Sequence, residues 1–256
     1  MEEENSNTGP KRNDSLIAQT FFSSIGNVLE WFDFAIYAYF APEISTLFFP
    51  KNSSAALLET FAIFGGAFLM RPIGGVIVGR IGDIYGRKRA LFLSITSMAL
   101  ATFSMGLIPN YSSIGVAAPI LLTVSRLVQG LSVGGQLVGT YLYIVESAPP
   151  NKRCFYGSLT LGFANLGTVT GSAVGAIIHA ATSPAQLLSW GWRIPFLCGI
   201  FVGFAGYMIE TKLADSAEFE VLKLQRGGND EVSPIREAWR ENWQKILLVA
   251  CISCIW

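Results

Sequence analysis

Charge and histidine are the scarcest features of this chain. Charged residues fill 14% of its 256 positions and there is one histidine, whereas soluble domains carry roughly 25% charged residues. Its 18 basic and 18 acidic residues cancel, so bulk attraction to nucleic acid has no support. No H-E-x-x-H occurs, and the lone His179 falls at the end of an apolar stretch. Neither a metal site nor a Ser/His pair assembles, so no enzyme, metal or cofactor is expected. The four cysteines, Cys154, Cys198, Cys251 and Cys254, mostly lie in apolar runs, where a small buried hydrophobe is the ordinary role. The C-x-x-C at Cys251 and Cys254 lacks a second ligand pair. The N-terminus is polar and acidic, without the charged-then-apolar pattern of a cleaved signal. The first apolar stretch is then a permanent span.

What the chain has in abundance is apolar sequence. Hydrophobic residues make up 51% and the mean hydropathy is +0.45, which predicts an all-α integral membrane protein. Six stretches approach the ~20 residues that a spanning helix needs, near 19–40, 58–78, 90–108, 117–145, 157–180 and 192–210. A seventh opens at Ile246, and its eleven residues to Trp256, at about 1.5 Å each, fall short of a hydrocarbon core of about 30 Å. The expected organisation is a tail over 1–16, a six-helix bundle over 17–210, a central loop over 211–245 and a truncated seventh helix over 246–256. An amphipathic surface helix around Phe219, Leu222 and Leu224 is expected in that loop. Fourteen of the 18 basic residues fall on one side of this arrangement, and only Lys51 and Arg193 on the other. Basic flanks mark the cytoplasmic face, so the N-terminus and the central loop are expected there.

Ionisable residues within spans are costly and are functional candidates by default. The first helix carries Asn27, Glu30, Asp33 and Tyr37 at helical spacing, a stripe suited either to proton or solute handling or to an ion pair with another helix. Arg71 lies roughly 20 Å down the second helix, beside Pro72, and its natural partner is Glu30 or Asp33. On the fourth helix Arg126, Gln129, Val133, Gln136, Thr140 and Tyr143 advance by three or four. That stripe fits a solute passage, in which Arg126 holds a carboxylate; the alternative is an interhelical hydrogen-bond seam. The third helix, Leu, Ser and Ala without charge, reads as packing. Gly167, Gly171 and Gly175 make a small-residue packing row on the fifth. His179 reads as an interfacial histidine.

The run Arg71–Arg89, RPIGGVIVGRIGDIYGRKR, ends in a knot of positive charge. Within it Gly79, Asp83, Gly86, Arg87 and Lys88 spell G-x-x-x-D-x-x-G-R-K. Glycines there permit a tight turn or close approach, and Asp83 can cap a helix or pair with an arginine. This stretch resembles the loop between helices two and three of the major facilitator superfamily, where it latches the cytoplasmic side. With GNVLEWFDFAIYAYF, RLVQGLSVGG and WGWRIPFL in the same order, the chain resembles the metabolite:proton symporter family of that superfamily, whose members include proline/betaine, citrate, shikimate and 2-oxoglutarate carriers.

The resemblance implies the N-terminal six-helix bundle of a two-bundle symporter in the plasma or inner membrane, plus the start of the seventh helix. It implies a small zwitterionic or carboxylated solute bound near the midplane against a C-terminal six-helix half, with a proton as coupling ion. Members of the family usually carry glutamate where this chain has Gln136. Glutamine exchanges no proton near neutral pH, so coupling here is expected to rest on Glu30 and Asp33 or to be lost. The alternative expectation, from the chain stopping inside a predicted helix, is a truncated membrane protein that binds a partner or an intact carrier without transporting.

Overall fold

The computed structural model describes residues 11–50, 53–134, 136–201, 204 and 243–244. The predicted central loop, its amphipathic helix and the seventh span therefore lie outside the described residues, apart from 243–244, which are helical. Among the described residues the chain is helical without a strand. The elements are α1 (Lys11–Tyr39), α2 (Ala41–Phe48), α3 (Ala56–Tyr85), α4 (Arg87–Leu107), α5 (Tyr111–Ile114), α6 (Ala117–Val133), α7 (Gln136–Ser147), α8 (Arg153–Ala181), α9 (Pro184–Gln186), a π turn (Leu187–Gly191) and α10 (Arg193–Leu197). Residues 56–85, 89–107 and 150–181 are each long and apolar enough to cross a membrane.

The first five predicted spans appear as helices, α6 and α7 sharing the fourth, while the sixth (192–210) is described only to residue 201 and at 204; three features differ from expectation. α1 opens at Lys11, earlier than the expected start of the bundle at 17. The second span runs on to Tyr85 rather than stopping near 78, so Gly79 and Asp83 are helical residues and the expected loop shrinks to Gly86. Gly86 takes φ 102° and joins α3 directly to α4, a backbone state that a side chain rarely tolerates. The short helix α2 was not foreseen. Pro42 sits in its first turn, a position where the missing N–H costs nothing, and Ile44 and Phe48 bury its inner face.

Backbone-to-backbone contact at glycines holds the bundle together. A Cβ on Gly167 would lie 2.1 Å from the Val28 carbonyl oxygen, and one on Gly171 would lie 2.7 Å from that of Phe32, which seats α8 on α1. The predicted packing row on the fifth span thus has its partner. α3 and α6 approach as closely: Gly130 faces the Ala67 carbonyl, Gly74 that of Leu131, and Gly134 that of Arg71. Such small-residue crossings substitute van der Waals contact for the hydrophobic drive that lipid cannot supply. A Cβ on Gly79, by contrast, would meet nothing within 4 Å among the described residues.

Serines bind α4 to α6. Ser94 donates to the Ser132 carbonyl, and Ser132 donates to Ser97 at 2.8 Å. Arg193, at the head of α10, donates to the Gly106 and Ile108 carbonyls at 2.7 and 2.8 Å and to Asn110 Oδ1 at 3.0 Å. It thereby satisfies the orphan carbonyls at the C-terminal end of α4.

Two apolar layers form the core. One, near the basic end of the bundle, contains Leu91, Ile95, Met98, Ile144 and Tyr156; the other, towards α2, contains Tyr37, Phe40, Phe48, Trp192 and Phe196. α3 and α8 bury little of their length and leave Leu58, Leu69, Ile73, Leu161, Val169 and Ile177 exposed.

Candidate functional site

Between the two apolar layers lies a ring of four polar side chains. Arg126 on α6 donates through Nη1 to Asp33 Oδ2 on α1 at 2.8 Å and to Gln129 Oε1 at 2.7 Å. Gln129 Nε2 donates to Thr102 Oγ1 on α4 at 2.6 Å, and Thr102 donates in turn to Asp33 Oδ1 at 3.1 Å. Both routes from the guanidinium end on the same carboxylate, so the ring has one internally consistent direction. Arg126 is fully buried, and its guanidinium carbon stands 3.6 Å from the centre of the Tyr37 ring. The Tyr37 hydroxyl donates to the Thr60 carbonyl on α3 at 3.1 Å. Four helices are thereby tied to a single charge pair, held through Arg126 Nη1 alone, since Arg126 Nε and Nη2 meet no acceptor among the described residues.

One turn along α1, Glu30 meets Arg71 of α3 at 3.2 Å. This second pair is built differently. Neither Glu30 oxygen accepts a hydrogen bond from a described group, and Arg71 Nε and Nη2 donate none. The Arg71 guanidinium instead lies 4.7 Å from the Phe34 ring centre and 4.3 Å from that of Phe68, a cation–π setting. Glu30 is buried, while the Arg71 side chain is 24% exposed. Farther along the same face of α1, Asn27 and Ser24 are fully buried, with no partner for the amide or the hydroxyl among the described residues.

The sequence-predicted residues therefore separate into groups. Asp33, Tyr37, Arg126 and Gln129 come together, and the partner left open for Arg71 is Glu30. Val133 and Thr140 of the fourth-span stripe are also buried. The described residues of that stripe face the bundle interior, where Arg126 and Gln129 are hydrogen-bonded to α1 and α4. Gln136 opens α7, but its side chain and that of Tyr143 lie outside the described residues, as do the side chains of Arg87 and Lys88. Thr102 was missed: one threonine in a span dismissed as packing completes the ring. Its signal is its place eight residues after Ser94, on the face of α4 that carries hydroxyls toward α6.

Gly130 to Gly134 also has the spelling G-x-S-x-G around Ser132. Ser132 sits within α6 and donates to Ser97 and to the Val128 carbonyl, with none of the strand-to-helix turn that exposes a nucleophile. Among the described residues no group of three or more metal-ligating side chains occurs.

Comparison with known proteins agrees with this architecture. Residues 19–241 match the model of the family described as "Sugar (and other) transporter". The proline/betaine transporter of Escherichia coli K12 is 36% identical over 242 residues, which are 91% of this chain and 48% of that protein. The proline/betaine transporter of Salmonella typhimurium LT2 matches with the same identity and the same coverage. Among solved structures, the partially occluded, inward-open xylose transporter XylE from E. coli superposes with a TM-score of 0.75 at 19% identity, over 83% of this chain and 53% of its own. The structural likeness speaks for the fold. The chain spans about half the length of the curated relatives it matches, and it belongs to the sugar (and other) transporter family of the major facilitator superfamily as an integral membrane protein corresponding to the N-terminal half.

Proposed function

We propose that this chain is the N-terminal half of a proton-coupled symporter for small zwitterionic or carboxylated solutes. The observation that carries the reading is the contrast between the two buried pairs. Asp33 and Arg126 are closed on each other and on Gln129 and Thr102 by four hydrogen bonds, which makes them the rigid centre of the bundle. Glu30 and Arg71 touch without a hydrogen bond. A buried carboxylate with no donor gains most from taking up a proton, so Glu30 is the coupling residue in this scheme. Its protonation frees Arg71, the partly exposed cation, to hold a solute carboxylate. Pro72 follows Arg71 inside α3 and removes one backbone hydrogen bond, which leaves the helix pliant there.

Asn27 and Ser24 continue from Glu30 toward the basic end. Buried polar atoms of this kind take water as their partner, which supplies a route for a proton leaving Glu30. The basic end is read as cytoplasmic, with the N-terminus on that side of a plasma or inner membrane. There the Gly86 turn makes α3 and α4 move together, with Gly79 and Asp83 on α3 and Arg87 and Lys88 opening α4 as parts of the gating segment. The exposed apolar faces of α3 and α8 suit a second six-helix half, which would close the solute site in a rocking mechanism. The names of the relatives favour proline or betaine as solute.

The test uses the complete carrier in proteoliposomes. Glu30→Gln is expected to retain solute counterflow while losing uphill accumulation driven by a proton gradient. Undiminished uphill accumulation by E30Q would remove Glu30 from the coupling role.

A further inference from the structure

At the α2 end of the bundle the chain's one histidine occupies a site that the transport scheme does not use. His179 lies in the last turn of α8. Its Nδ1 stands 3.0 Å from the Gly175 carbonyl oxygen, and its Nε2 stands 3.1 Å from Glu43 Oε1 on α2. A carbonyl only accepts, so Nδ1 carries a hydrogen. The contact between Nε2 and a carboxylate oxygen then needs a second hydrogen, whether it is written as imidazolium with carboxylate or as imidazole with carboxylic acid. Either way the site holds one dissociable proton. Once it leaves, a bare nitrogen lone pair faces the lone pairs of a carboxylate, and the contact loses its attraction.

The surroundings fix this geometry. The Tyr39 ring meets the imidazole edge-on at 4.9 Å between centres, and the Phe40 ring lies at 5.1 Å. A Cβ on Gly175 would strike the Tyr39 ring at 2.7 Å, so α8 is seated against α1 just below the histidine. The Glu43 side chain is 12% exposed, and its Oε2 has no donor among the described residues. Titratable groups facing the imidazole are the Glu43 carboxyl from α2 and the Tyr39 phenol from α1. α5, α9 and the π turn contain no carboxylate, lysine or arginine. Glu59 of α3 instead lines a cavity of about 430 Å³ with Phe49, Pro119 and Thr123.

We propose that Glu43 and His179 form a proton-binding latch, which holds α2 against α8 while the proton is bound and releases α2 when it is lost. Under the orientation proposed above, the latch faces the outside and reads external pH. The inference stands independently of Glu30, because it rests on a different proton at the other end of the bundle.

The test uses the complete carrier in lipid nanodiscs, labelled with ¹⁵N-histidine, in which the His179 signal is assigned by its loss in His179→Phe. The protonation state and tautomer of that imidazole are followed by NMR between about pH 5 and 8. Hydrogen exchange of the α2 amides, corrected for its intrinsic pH dependence, is measured alongside. The expected results are a neutral ring that keeps its hydrogen on Nδ1, and protection of α2 about tenfold lower at the alkaline end, the low end of the contribution of a charge-assisted hydrogen bond. Glu43→Gln offers an amide N–H to the bare Nε2 and is expected to abolish the pH dependence. His179→Phe is expected to leave α2 at its alkaline level of exchange throughout. A neutral ring protonated on Nε2, or equal α2 protection at both pH values in the unaltered chain, would overturn the latch.

Discussion

The crossing of α3 and α6 gives the sharpest quantitative prediction. A Cβ on Gly130 would sit 2.1 Å from the Ala67 carbonyl oxygen, whereas ordinary contact begins at 3.4 Å. The obstacle is backbone, so no side chain can swing aside, and Gly130→Ala must push the two helices apart by about 1 Å. That separation strips contact from Gly74 and Gly134 on the same crossing, which makes the damage cooperative. Overpacking of this kind costs roughly 1–3 kcal/mol. The control is Gly162→Ala on α8, where nothing lies within 4 Å; removing a helical glycine there should stabilise by about 0.5–1 kcal/mol. Thermal unfolding in detergent, followed by circular dichroism, compares the two variants with the unaltered chain. G130A should melt lower by several degrees, at roughly 2–4 °C per kcal/mol for a chain of this size, and G162A no lower than the parent. A G130A protein as stable as G162A would refute the close crossing.

Other perturbations test the ring and its surroundings. Thr102→Val leaves Gln129 and Asp33 each short of a partner and should destabilise by about 2–3 kcal/mol, whereas Thr102→Ser, which keeps both bonds, should cost much less; chemical unfolding in detergent distinguishes them. Asp33→Asn strands the buried Arg126 charge, a loss of about 3–5 kcal/mol, and both it and Arg71→Ala should abolish uptake by the complete carrier while Lys51→Ala does not; normal uptake by D33N would show helix α1 to be misread. Arg193→Lys cannot reproduce the three contacts to Gly106, Ile108 and Asn110 and should lower the melting temperature by a few degrees, an effect absent if that end of α4 is solvated instead.

The charged residues of the spans were the most legible part of the sequence. An arginine or carboxylate in an apolar helix has so few solutions that Asp33, Glu30, Arg71 and Arg126 announced a buried pairing. Which carboxylate met which arginine was not legible, because helical spacing places residues on a face without saying which neighbour that face meets. Thr102 escaped for the complementary reason: a threonine costs little in an apolar helix, so its presence alone asks for no partner. Gly167, Gly171 and Gly175 were read as a packing row, since a four-residue repeat of glycine has little other use. Gly79 carried the same letter without the contact. Its role was inferred from a loop, whereas α3 continues through it to Tyr85. The helix α2 was hidden by its length, too short for a spanning pattern. With it went the pairing of Glu43 and His179, residues 136 apart in sequence.

The most direct measurement of the central claim is the internal pH of proteoliposomes carrying the complete transporter as proline or betaine is added outside. Co-transport of a proton predicts that the lumen acidifies as solute enters, and that E30Q, still exchanging solute, produces no acidification. Solute entry with no change of internal pH would contradict proton coupling, and acidification undiminished in E30Q would place the proton elsewhere than on Glu30.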